Sequence, residues 1–121
     1  MPWVYRQSTG QLKYNGVPVT KGYSGIDAGK NNPAMEGVRH VGPTPAGDYS
    51  IGAPFFHAHS GAYTMRLTPI NGNIALGRTG IMMHGDRKAH PGRALNGCMI
   101  VSYSARQKVW MSNDHIIKVT E

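Results

Sequence analysis

The sequence predicts a loop-rich, mainly β protein forming a single domain over residues 1–121, and three observations carry that expectation. Sixteen glycines and eight prolines are spread along the 121 residues and interrupt helical periodicity almost everywhere. Several short segments alternate in polarity or stay apolar for the length of one strand. Only SARQKVWM, residues 104–111, carries helical spacing.

The elements follow in chain order. WVYRQ (3–7) and QLKY (11–14) flank STG and read as a hairpin. Asn15-Gly16 is a second turn signal leading into VPVT. GYSGIDAGKNNPAMEG (22–37) is a long irregular region, and loops of that length often carry function. In GPTPAGDYSIG (42–52) the prolines and glycines set a turn before a strand at DYSIG. YTMRLT (63–68) puts Tyr63, Met65 and Leu67 on one face. INGNIALG is another turn-bounded segment, and GIMMH (80–84) and GCMIVS (97–102) read as buried central strands. In the helix, Ser104 is the expected cap, with Ala105 and Val109 at i, i+4 and Trp110 alongside. HIIKVT closes the chain as a strand.

The net charge is +7, from 13 Lys and Arg against 6 Asp and Glu. The basic residues are scattered, with no basic helix and no nucleic-acid-binding motif, so the expectation is solvated surface charge and no nucleic-acid partner. No apolar stretch approaches the ~20 residues that span a bilayer, so no membrane insertion is expected. MPWVYRQ lacks the apolar core of a signal peptide. A single cysteine, Cys98, makes no intrachain disulfide.

His84 ends one apolar run and Cys98 begins another. If both runs are strands, the connecting residues 85–97 bring one strand's end beside the other's start. An imidazole there can take the thiol proton, because a free thiol near pKa 8.5 is mostly protonated at neutral pH. Gly97 lets a substrate approach the backbone, and N–H groups around Gly97 and Cys98 suit an oxyanion. The competing reading is a small buried core cysteine and a polar strand end.

HGD, HPG and NGCMIV follow WVYRQSTGQL, GYSG, KNNP and GPTPAGDYSIG, and a short helix and a final strand close the series. In this order over nearly the whole chain, the sequence resembles the L,D-transpeptidase-like effectors of type VI secretion systems. The resemblance implies an L,D-transpeptidase-like β-sandwich or barrel with one short C-terminal helix. It implies Cys98 as nucleophile and His84 as base, with no cofactor. Its implied substrate is the tetrapeptide stem of peptidoglycan, losing terminal D-alanine to water or exchanging it for a D-amino acid. Tyr23, Ser24, Asn31, Asn32, Asp86 and Asn96 are the implied substrate-site residues. The implied setting is signal-less delivery by secretion machinery into a target bacterium's periplasm, with a cognate immunity protein as partner.

Leu95 stands where the family has Ser or Thr, Asn96 where His is common, and Ile100 where many members carry Arg. Leu95 in place of the hydroxyl favours a non-catalytic peptidoglycan-binding module on the same fold, whereas the Asn96 side chain, which both donates and accepts, partly replaces that hydroxyl. Three residue-level alternatives also stand. His90 is a rival base, Asp86 reads equally as a turn aspartate, and His57 and His59 with His84 and Asp86 form a conceivable metal set.

Overall fold

The computed structural model describes residues 3–87, 92 and 97–121. In chain order the strands are β1 (Trp3–Arg6), β2 (Gln11–Tyr14), β3 (Val17–Lys21), β4 (Tyr23–Ser24), β5 (Gly47–Ile51), β6 (Phe55–His57) and β7 (Gly61–Ile70). They continue with β8 (Met82–His84), β9 (Met99–Ile100) and β10 (Ile116–Thr120). The α-helix among the described residues is α1 (Tyr103–Met111). The mainly β class with one short helix is therefore as expected.

The strands form one mixed, unclosed sheet in the order β3-β2-β1-β10-β5-β7-β8-β9-β4, with β6 paired to β7 beside that path. Pairs β1–β10 and β8–β9 are parallel and the others antiparallel. Asn15 and Gly16 have φ of 50° and 80°, the left-handed pair that suits a tight hairpin between β2 and β3. Although β3 and β4 end the path at opposite sides, Gly22 alone joins them, so the sheet curls until its ends meet. Gly22 donates to the Gly10 carbonyl at 2.8 Å, and a Cβ there would overlap the Ile100 carbonyl. Glycine is thus required where the ends converge, and it delivers Tyr23 and Ser24 beside β9.

Strand alternation fills the core. Trp3 and Tyr5 of β1, Tyr49 and Ile51 of β5, Met65 and Leu67 of β7, and Ile117 and Val119 of β10 share one buried cluster. Helix α1 adds Ala105 and Val109 to it, the i, i+4 pair expected. The cap differs from expectation. Ser102, in extended backbone with ψ of 160°, accepts from the Ala105 N–H, whereas Ser104 lies inside the helix. The long region 22–37 holds β4 and two 3-10 turns, Asp27–Gly29 and Pro33–Met35.

Candidate active site

Strands β8 and β9 run parallel with Met83 opposite Met99 and His84 opposite Ile100. Met83, Met99 and Val101 face the main core. Met82, Cys98 and Ile100 form a separate cluster with Tyr23 and Phe55. Directly opposed residues share a face and side chains alternate, so His84 and Cys98 lie on the same face as diagonal neighbours, about 8 Å apart at Cα. Both line a cavity of about 380 Å³ with Met82, His57, His59, Ser60 and Arg87. The structure therefore brings together the two residues singled out for chemistry.

His84 is 5% exposed, and its Nδ1 lies 2.8 Å from the Gly85 carbonyl oxygen. A carbonyl only accepts, so Nδ1 carries the proton and Nε2 of the neutral ring is the acceptor. Burial pushes the His84 pKa below the usual histidine value, helped by Arg106 and His57 and opposed by the Gly85 hydrogen bond and Asp86. His57 has the complementary tautomer. Its Nδ1 accepts from the main-chain N–H groups of His59 at 3.1 Å and Ser60 at 3.3 Å, which leaves the proton of the neutral ring on Nε2. The cavity thus combines an acceptor imidazole and a donor imidazole.

Cys98 is 2% exposed and its Sγ lies 3.7 Å from the Gly80 carbonyl oxygen. Burial pushes the thiol up to about 11, against the opposing pull of the Met82 N–H and the Arg78 guanidinium. The resting pair is therefore thiol and neutral imidazole. Behind the sulfur, Ser24 and Thr44 are wholly buried. Ser24 Oγ sits 3.1 Å from the Gly97 carbonyl oxygen and 2.9 Å from that of Cys98, and Thr44 Oγ1 donates to the Gly97 carbonyl at 2.9 Å. A trans peptide directs C=O and N–H oppositely, so the Cys98 N–H points away from this hydroxyl pair. Ser24 consequently positions the cysteine backbone from inside the protein.

Gly97 has φ of 65° and packs against Arg78 and the Gly42 carbonyl so closely that a Cβ would overlap both. Arg78, 6% exposed, donates to the carbonyls of Glu36, Pro43 and Gly42. Arg106, 5% exposed, reaches the carbonyls of Val101, Ser102, Ala62 and Tyr63. Sequence reasoning assigned neither arginine a role.

The remaining implied substrate residues are placed as follows. The Tyr23 hydroxyl donates to Asp86 at 2.6 Å, and both line a different cavity of about 320 Å³ that reaches Arg106. Asp86 also accepts from the Arg87 and Gly92 N–H groups. Desolvation raises its carboxyl, but these hydrogen bonds and Lys30 outweigh it and hold the pKa below the usual range. Asn31 accepts from the Ser24 N–H at 3.2 Å, and Asn32 caps the Pro33–Met35 turn through the Ala34 N–H. Leu95, Asn96 and His90 lie outside the described residues. Among the described residues no group of three or more His, Cys, Asp or Glu is placed to hold a metal ion.

The model of the Tlde1 domain family matches residues 19–120. The chain belongs to this family. Tlde1 domains are a family of type VI secretion effectors, so the protein is an effector whose route is that secretion machinery. The match runs from β3 to the last residue of β10 and includes every described residue of the Cys98 cavity. No curated protein matches significantly. Among the described residues no helix is long and apolar enough to cross a membrane.

Proposed function

We propose that residues 1–121 act as one catalytic domain, a cysteine enzyme that removes or exchanges the terminal D-alanine of peptidoglycan tetrapeptide stems. The observation that carries this reading is the Cys98–His84 pair on one face of β8 and β9, with the histidine tautomer fixed by Gly85. Membership of the Tlde1 family supports an antibacterial role, and the resemblance to L,D-transpeptidases supplies the substrate class.

Sγ of Cys98 passes its proton to Nε2 of His84 as sulfur attacks the carbonyl of the L-centre of diaminopimelate. The oxyanion forms beside the Cys98 N–H. As it collapses, the C–N bond breaks and His84 returns the proton to the departing amine of D-alanine. The resulting thioester receives either water, giving a free carboxylate, or the amine of a free D-amino acid. His84 takes a proton from that nucleophile and restores it to the sulfur. Either outcome removes tetrapeptide donors used for crosslinking. The site of action in this reading is the target's periplasm, where the +7 charge favours an anionic wall polymer and a cognate immunity protein protects kin.

Tetrapeptide-rich muropeptides incubated with wild-type protein and with Cys98→Ala, then weighed by mass spectrometry, test the proposal. Loss of D-alanine with wild type only is the expected result, and added D-amino acid should appear in the product. Unchanged muropeptides would overturn it. The deeply buried, weakly acidic thiol would then mark a non-catalytic wall-binding module on the same fold.

A further inference from the structure

The cavity that holds Cys98 has a second wall, built by the β6 turn. Cys98 and His84 belong to the β9 and β8 side of the cavity, and β7 comes next across the sheet. β5 and β6 pair in succession along one edge of β7, the edge opposite β8. His57, at the end of β6, and His59 and Ser60, in the turn after it, therefore enter the cavity from the far side of β7. The described residues that line this cavity include no carboxylate.

The turn fixes its histidine. Nδ1 of His57 accepts from the N–H groups of His59 and Ser60, so the proton of the ring sits on Nε2, which meets no hydrogen-bond partner among the described residues. The buried Thr64 hydroxyl gives its one proton to the Gly61 carbonyl at 3.0 Å, so the Ser60 hydroxyl, 3.0 Å away, is the donor to Thr64. That bond ties the turn to β7. Arg87 brings charge to the same cavity, and its guanidinium meets no hydrogen-bond or ion-pair partner among the described residues. The neighbouring Asp86 is turned to Tyr23 and the other cavity. A preset N–H donor and an uncommitted guanidinium lining one cavity suit a carboxylate.

We infer that the His57 Nε2–H and the Arg87 guanidinium together bind the carboxylate of the single terminal residue that Cys98 detaches. The inference rests on the cysteine-enzyme reading and names what makes the cut fall one residue from the chain end. In that reading His84 returns its proton to the departing amine, so the amine leaves on the His84 side of the sulfur. One residue advances a chain by about 3.5 Å, and neighbouring strands lie about 4.8 Å apart. The carboxylate that follows the amine consequently lies beyond His84, toward β7 and the His57 turn. A stem that continued past the bond would bring a neutral peptide group there and give Arg87 no charge to meet. By microscopic reversibility, a free D-amino acid that resolves the thioester docks its own carboxylate on the same two groups.

Binding separates this inference from the chemistry. Calorimetry on Cys98→Ala compares a tetrapeptide stem ending in free D-alanine with the same stem ending in D-alaninamide. The free acid should bind about ten- to a hundredfold more tightly, the worth of a charge-assisted hydrogen bond. Adding His57→Phe, which keeps a ring and removes the Nε2–H, should cut that preference severalfold, and so should Arg87→Ala. Both together should bring the acid to the level of the amide and leave the amide unchanged. His57→Gln, which returns an N–H, should recover part of the preference. Arg87 is exposed, so its variant tests the site even where His57→Phe disturbs the turn. Equal binding of acid and amide, or binding of neither, overturns the site. So does a preference that survives the double substitution; loss of turnover by His57→Phe in the otherwise wild-type chain would then make His57 an oxyanion donor. The enzyme reading has its own readout, the mass of a thioester adduct on the wild-type protein. Its absence alongside a preference that depends on His57 and Arg87 would remove the enzyme and keep the carboxylate site.

Discussion

Two buried arginines stand behind Cys98 and His84, and they do different work. Arg78 packs under Gly97, the neighbour of Cys98, and Arg106 packs under Gly85, the neighbour of His84. Each spends its donors on main-chain carbonyls, so each fixes backbone and brings positive charge to a place water does not reach. Burial dominates at both residues, raising the Cys98 thiol and lowering the His84 imidazole; Arg78 pulls the thiol down against burial, whereas Arg106 adds to the lowering of the imidazole. One charge type, placed twice, therefore acts to lower the proton affinity of thiol and imidazole alike. The difference is mechanical. At Gly97 the obstruction to a side chain is an arginine and a backbone carbonyl at positive φ, while at Gly85 it is an arginine terminus alone.

Substitution at the glycines gives the widest separation. Gly97→Ala meets immovable backbone and a strained φ together, and it should cost about 4 kcal/mol in thermal or urea unfolding. Equal stability of Gly97→Ala and wild type would show that both Arg78 and the Gly42 backbone give way. Removing the arginines comes next. Arg106→Met and Arg78→Met each strand several buried carbonyls and should cost about 3 kcal/mol by the same measurement. Gly85→Ala places its Cβ 2.8 Å from the Arg106 Nη2 and should cost only about 1 kcal/mol, because a side-chain end can shift.

Proton affinities sharpen the contrast further. In the proposed mechanism His84 acts as a neutral base, so kcat/KM of wild type should fall on the acid side with an apparent pKa below the usual histidine value of 6.5. Arg106→Met should move that limb upward, and Arg78→Met should leave it in place while slowing iodoacetamide alkylation of Cys98 severalfold. An acid limb unmoved by loss of Arg106 would assign the depression of His84 to burial alone. The smallest effect is on stability at high pH. Cys98 and Tyr49 have raised pKa values when folded, so they bind protons that the unfolded chain releases. Stability should be flat between about pH 7.5 and 9 and decline above that, as unfolded thiols and phenols ionise before the folded ones, which a pH series of melting temperatures would detect.

The Cys98–His84 pair was readable because each residue bounds a strand-length apolar run and the 85–97 connection is long enough for a parallel crossover. The short strands were readable from alternation. Arg78 and Arg106 were not, because their partners are main-chain carbonyls, which no side-chain pattern encodes. Ser24 read as part of a loop facing the cleft, yet Gly22 swings it into the interior, where it holds the cysteine's backbone. Ser102 and Ser104 are both residue types that cap helices, and only the extended backbone at Ser102 separates them. His57 and His59 read as a conceivable metal pair, but β6 commits Nδ1 of His57 to two amides.

The place of β10 in the sheet bears on how the chain comes off the ribosome. This last strand lies between β1 and β5, so it is a keystone and not an edge. Before it is made, β3-β2-β1 and β5-β7-β8-β9-β4 are two half-sheets with bare edges, linked in pairing order by nothing. Cys98 and His84 have by then been translated. Final consolidation must wait for a pairing between opposite ends of the sequence, Trp3 with Ile117, a slow, high-contact-order event. A chain that lacks β10 consequently offers open strand edges to cellular proteases and cannot join the two halves of the sheet.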